Sequence, residues 1–156
     1  MSNILVFAEQ RDGQLKSYAL EAISEGRCLA DGAGGTLSVC VIGAGITDLG
    51  ATIGSYGADK ILMADDAGLA VYSPGGYAKL LSDALSSSSA EVVLLSSSAM
   101  GRELGAILAA KADASLLSDV VETTWDGDHL VVKRPIYAGK AFLRVAAKKA
   151  PVLVTL

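Results

Sequence analysis

The sequence predicts an α/β domain: a doubly wound, mostly parallel sheet with antiparallel β additions in its C-terminal third. Three observations carry that prediction. Short apolar runs of strand length alternate with segments of helical periodicity over the first two thirds of the chain. Hydrophobic residues fill 51% of the 156 positions but aromatics only 5%, so Ala, Val, Leu and Ile must build the core, as in helix-covered parallel sheets. After Ala112 the alternation stops, and β runs follow one another with no helix between them.

Each element has its own warrant. Ile4-Leu5-Val6-Phe7-Ala8 is a continuous apolar run and forms the first strand. Asp12-Gly13 makes a turn, and Leu15 to Leu29 sets Leu15, Ala19, Ala22 and Ile23 at helical spacing before Gly32, Gly34 and Gly35 end the helix. Leu37 to Ile42 is the second strand. Asp48 stands where an N-cap would start a short helix ending at Gly57, and Lys60 to Ala64 is the third strand. Ser73-Pro74 opens the next helix, serine as N-cap and proline at the first helical position. That helix runs through Tyr77, Leu80, Leu81 and Leu85 into Ser86-Ser87-Ser88-Ser89. Val92 to Leu95 is the fourth strand, and Ser98 can cap a helix from Met100 to about Lys111.

The C-terminal third reads differently. Ser118 to Thr124 is a strand, Trp125-Asp126-Gly127-Asp128 a turn, and His129 to Arg134 the return. A further run reaches about Ala147, and Pro151 to Leu156 is a last apolar strand. Residues 1–156 are expected to form a single domain. Because the chain closes inside an apolar strand, it is expected to be the first part of a longer subunit.

Composition removes several functions. Thirteen Lys and Arg against 17 Asp and Glu leave a net charge of −4, with no basic face for a nucleic acid. Mean hydropathy is high at +0.44, yet charges interrupt every apolar stretch before bilayer length, so membrane insertion is not expected. No signal segment is visible before the first strand, and Cys28 and Cys40 lie apart without a CxxC. Both read as buried reduced thiols, placing the protein in a cytoplasm or an organelle matrix.

The chemistry-bearing residues are sparse. His129, the one histidine, follows an Asp-Gly-Asp turn and has no nucleophile or ligand set beside it, so no catalytic or metal site is assigned. Asp65-Asp66 follows the third strand and reads as loop solvation or a helix start. Gly43-Ala44-Gly45 resembles the start of a dinucleotide loop, but the third glycine is replaced by Asp48, which would repel a pyrophosphate. Ser97, Ser98, Gly101 and Arg102 form a candidate anion site after the fourth strand, with a plain serine N-cap and surface arginine as the alternative. Last comes Arg134-Pro135-Ile136-Tyr137-Ala138-Gly139-Lys140-Ala141, a junction between two β runs whose proline and glycine are costly for a mere connector. Arg134, Pro135, Tyr137 and Gly139 are the candidate partner contact; core packing of Tyr137 is the alternative.

Taken together, several segments resemble the N-terminal domain of the electron transfer flavoprotein alpha subunit. They are Ile4 to Glu9 with Asp12-Gly13 and Glu21-Ala22, Tyr56-Gly57-Ala58-Asp59-Lys60-Ile61, Gly101-Arg102-Glu103-Leu104, Ser118-Asp119-Val120 and the Arg134 to Ala141 segment, in family order across the chain. The resemblance implies an adenine nucleotide alpha hydrolase-like layout and a scaffold role in a heterodimer with a beta subunit, without catalysis by this chain. It implies an FAD held mostly by a second domain beyond Leu156, and an AMP in the beta subunit alone. It also implies electrons drawn from acyl-CoA-type dehydrogenases and passed to a quinone-linked oxidoreductase. Two other readings of the layout stand beside it. One is a free-standing adenine-nucleotide-binding domain of the universal-stress type, for which Ser97, Ser98 and Gly101 supply only part of a phosphate cradle. The other is a receiver-type domain using Asp65-Asp66.

Overall fold

Strand residues that alternate between two apolar layers organise the molecule. Ile4, Val6 and Ala8 belong to one buried cluster, and Leu5 and Phe7 to the other. A strand apolar on both faces needs cover on both, which is the physical demand of a parallel sheet. The computed structural model describes residues 1–156. In chain order the elements are β1 (Ile4–Phe7), β2 (Gln10–Arg11), β3 (Gln14–Leu15), α1 (Ser17–Ala33), β4 (Leu37–Gly43), α2 (Leu49–Ser55), β5 (Lys60–Asp65), α3 (Pro74–Ser88), β6 (Val92–Leu95), α4 (Ala99–Ala112), β7 (Ser115–Leu117), β8 (Glu122–Asp126), β9 (His129–Ile136), β10 (Ala141–Ala146) and β11 (Val152–Thr155).

The main sheet has six strands in the order β5-β4-β1-β6-β11-β7, all parallel. Ala19, Ala22, Ile23 and Leu29 of α1, with Ile53 of α2, cover one face. Tyr77, Ala78 and Leu81 of α3, with Leu104 and Leu108 of α4, cover the other. Small residues do much of this packing, so helices lie close to the sheet without large aromatics.

The expected strands and helices are present, and the differences have physical causes. The turn at Asp12-Gly13 is flanked by a two-residue antiparallel pair, so Leu15 is in β3 and α1 starts only at Ser17. Asp48 and Ser73 occupy N-cap positions, but neither side chain caps its helix. The strand expected over Ser118 to Thr124 forms only from Glu122, as β8; β7 lies wholly before it. β7 joins the main sheet, the chain bends where Asp119 takes φ +55°, and β8 starts a second sheet. That second sheet, β10-β9-β8, is antiparallel and stands apart from the parallel one instead of extending it. It lies on the α1 side, where Leu130 and Val132 enter the core cluster and the Trp125 indole donates to the Leu29 carbonyl at 3.0 Å.

The closing strand also corrects the expectation of antiparallel pairing. Residues Val152–Thr155 are buried throughout and insert in parallel between β6 and β7. Cys40 is buried, which pushes its thiol up to about 12, whereas Cys28 is exposed on α1 and not in the core.

Candidate functional site

Open α/β sheets present ligand sites at the carboxyl ends of their strands, where loops and helix N-termini offer free N–H groups. Here the chain's own carboxylates meet those groups. Glu9 directly follows the β1 run and is 3% exposed. Its Oε1 accepts from the Tyr18 hydroxyl at 2.7 Å, and its Oε2 accepts from the Ser98 hydroxyl at the start of α4. Ser98 in turn accepts from the Gly101 amide at 2.9 Å, so the serine caps the helix as its sequence position suggests. Burial, reinforced by the bond to Glu9, raises the Tyr18 hydroxyl to about 12.

A second carboxylate serves the loop after β4. Asp65 accepts from the Gly45 amide at 2.7 Å, the Ile46 amide at 2.9 Å and the Thr47 hydroxyl at 2.9 Å. The Thr47 hydroxyl and these loop amides hold Asp65 below the usual carboxylate range. Asp66 points elsewhere and caps the short turn Ala67–Leu69 through the Gly68 amide at 2.8 Å. The Asp65-Asp66 pair is thus divided between two structural tasks. The Gly45 and Ile46 amides at the end of the Gly43-Ala44-Gly45 loop are bound by Asp65.

The remaining predicted positions separate. Ser97 turns toward the end of β11, donating its hydroxyl to Thr155 Oγ1 at 2.9 Å and its amide to the Leu156 carbonyl at 2.6 Å. Arg102 lies exposed on α4. Of the four, the structure joins Ser98 to the Gly101 amide, while Ser97 bonds to Thr155 and Arg102 lies exposed. His129 is exposed beside the β8–β9 turn. Glu9 is the residue that sequence reasoning passed over; its signal was an acid placed directly after a fully apolar strand.

Arg134 and Pro135 lie near the end of β9, opposite Leu143 and Phe142 of β10. Between the strands, Tyr137 (φ +51°), Ala138 (φ +55°) and Gly139 (φ +84°) form a left-handed turn closed by the Gly139 amide on the Ile136 carbonyl at 3.1 Å. Only glycine adopts such angles freely, so the tyrosine and alanine each store roughly 1 kcal/mol of strain. The strain presents the Tyr137 ring outward, 78% exposed. Core packing of that ring does not occur.

The Tyr56 to Ile61 segment has a structural use. Gly57 takes φ +90°, its carbonyl accepts from Arg27 at 3.0 Å, and Asp59 accepts from both Arg27 (2.9 Å) and the Leu37 amide (2.7 Å). The segment ties α1 to the starts of β4 and β5.

A doubly wound parallel sheet, strand-end loops occupied by its own acids and a separate antiparallel hairpin sheet define a doubly wound α/β domain. The chain belongs to the electron transfer flavoprotein domain family, whose pattern it matches over residues 4–156. It is 34% identical to the electron transfer flavoprotein subunit alpha of Bacillus subtilis (strain 168), over 98% of this chain and 46% of that protein. It is 38% identical to the acryloyl-CoA reductase electron transfer subunit beta of Anaerotignum propionicum, over 75% of this chain and 32% of that one. Protein FixB of Clostridium saccharobutylicum is 31% identical, over 92% and 43%. The chain spans less than half the length of each of these relatives. No helix is long and apolar enough to cross a membrane.

Proposed function

We propose that residues 1–156 act as the scaffold and subunit-docking domain of an electron transfer flavoprotein alpha-type subunit, and that they are the first part of a longer chain. The domain is a carrier component and not an enzyme in its own right. The assembled protein is a heterodimer with a beta subunit, and its FAD, held beyond Leu156, takes electrons from acyl-CoA-type dehydrogenases and gives them to a quinone-linked acceptor. AMP belongs to the beta subunit. The relatives are bacterial, so the cytoplasm is the compartment we assign; a mitochondrial homologue would work in the matrix.

The observation that carries this reading is the self-occupied crevice. Glu9 sits against the start of α4 and Asp65 fills the β4–α2 loop. A flavin pyrophosphate or a nucleotide phosphate placed there would meet a carboxylate at each loop, so these residues do not fit a phosphate-bearing cofactor. The hairpin supports the docking half of the proposal, with Tyr137 and Gly139 exposed at its turn and Arg134 and Pro135 half-buried beside it.

The purified 156-residue domain is expected to be colourless and to give no saturable heat on titration with AMP or ATP. Stoichiometric flavin absorbance would overturn the placement of FAD. One-to-one nucleotide binding would favour the universal-stress-like reading instead.

A further inference from the structure

The loop between β4 and α2 is built as an anion cradle. Gly45 takes the left-handed angle φ +66°, and the Gly45 and Ile46 amides converge on one group with the Thr47 hydroxyl. Successive amides turned to one side make a concavity that holds an anion on backbone dipoles, with no cationic side chain required. These donors all lie in the loop, before α2 begins at Leu49. Asp65 occupies the cradle through both oxygens: Oδ1 accepts from the Gly45 amide at 2.7 Å, and Oδ2 accepts from the Ile46 amide and the Thr47 hydroxyl, each at 2.9 Å. A free carboxylate would use the same two oxygens.

The surroundings set what else could sit there. Asp65 ends β5, the edge strand of the sheet, and Asp65, Gly45 and Thr47 are all exposed, so the cradle opens to solvent. Nothing lies within 4 Å of the Cβ position of Gly45. The Gly43 side is shut. Gln10 crosses it, donating through Nε2 to the Ile42 carbonyl at 3.0 Å, and a Cβ on Gly43 would lie 2.2 Å from that nitrogen. A pyrophosphate has no room to lie along the loop, whereas one small oxyanion has. Asp48 is exposed one residue beyond Thr47 and weighs against a dianion. The class that fits is a small monocarboxylate.

We propose that the β4–α2 loop is a carboxylate-binding site that the chain keeps closed with its own Asp65, an internal ligand in the place of a free one. This deepens the self-occupied crevice described above and rests on it. A tethered carboxylate outcompetes a dissolved one because it meets the cradle at high effective concentration. Removing the Asp65 carboxylate leaves the donors in place and opens the site.

The test compares the wild-type chain with Asp65→Ala and Asp65→Asn in sodium acetate, sodium phosphate and sodium chloride of equal ionic strength. Amide NMR follows Gly45 and Ile46. In Asp65→Ala, acetate should shift both amides saturably, with a dissociation constant on the order of 10 mM for three donors and no cation. Acetate at ten times that constant should raise Tm by about 3–6 °C over chloride. Wild type should show neither effect. Asp65→Asn, whose amide oxygen still accepts, should bind acetate at least ~10-fold more weakly than Asp65→Ala. Where Asp65→Ala does not fold in chloride, recovery of the folded spectrum in acetate supports the proposal, and failure in both salts overturns it. Folded Asp65→Ala with no acetate-specific shift also overturns it, while the scaffold reading stands as long as wild type binds no nucleotide. Phosphate binding more tightly than acetate would overturn the assignment to a monocarboxylate. Acetate saturating these amides in wild type would show that Asp65 does not close the loop, and the self-occupied crevice beneath the scaffold reading would fall with it.

Discussion

Replacing Glu9 tests whether the strand-end carboxylate is a structural pin. The side chain is 3% exposed and accepts two hydroxyl hydrogen bonds, from Tyr18 and from Ser98. Hydrogen bonds to a charged acceptor contribute about 1.5–3 kcal/mol each, and burying the carboxylate takes back part of that gain. In Glu9→Ala both bonds vanish and two hydroxyls lose their acceptor, so a net loss of about 3 kcal/mol is expected. For a domain of this size that lowers Tm by about 6–12 °C. Glu9→Gln keeps the shape and one acceptor oxygen, and it should cost only about 1 kcal/mol. The assay is urea unfolding followed by Trp125 fluorescence, the one tryptophan, with thermal melts in parallel. Glu9→Ala within about 0.5 kcal/mol of wild type would refute the pin, because surface substitutions fall in that range. Equal losses for Ala and Gln would show that hydrogen-bond geometry is not what matters there.

Three further outcomes rest on named residues. A Cβ on Gly101 would lie 2.0 Å from the Ser96 carbonyl oxygen, which is backbone and cannot swing aside, so Gly101→Ala should cost at least about 2 kcal/mol in denaturant unfolding. Gly54→Ala is the contrast: nothing lies within 4 Å of its Cβ position on α2, and about 0.5–1 kcal/mol of stabilisation is expected in the same titration. The pH dependence comes from three tyrosines whose hydroxyls burial raises, Tyr18, Tyr72 and Tyr77; Tyr18 titrates near 12 in the folded state against an ordinary value near 10. A pKa raised by folding contributes stability that is complete below the unfolded value and is lost as pH climbs through the folded one. Unfolding free energy should therefore decline from about pH 10 upward, and less steeply in Glu9→Gln; a flat profile in wild type would contradict the burial of these tyrosines, and an unchanged profile in Glu9→Gln would contradict the Glu9–Tyr18 bond as a cause.

Much of this was legible in the sequence because the signals are local. Ile4 to Ala8, Leu37 to Ile42 and Val92 to Leu95 are apolar on both faces, and only a helix-covered parallel sheet satisfies such strands. Ser98 followed three residues later by Gly101 read correctly as a helix cap. The errors fell where long-range pairing decides. Ser118 to Thr124 reads as one strand, yet strand begins only at Glu122, where β9 pairs with β8, while β11 draws the preceding β7 into the main sheet. Glu9 was passed over and Asp65 read as loop solvation or a helix start, since their partners lie 89 and 20 residues away at the farthest.

By itself the sequence determined the layer architecture, the order of its elements and its family, because hydrophobic period and turn chemistry act over a few residues. The tertiary structure decided what the strand ends and the hairpin do. Only folding brings Glu9 against Ser98 and Asp65 against the Gly45 loop, converting apparent anion sites into satisfied contacts. Only folding leaves Leu143 and Tyr137 exposed on the hairpin while Leu130 and Val132 of the same sheet enter the core.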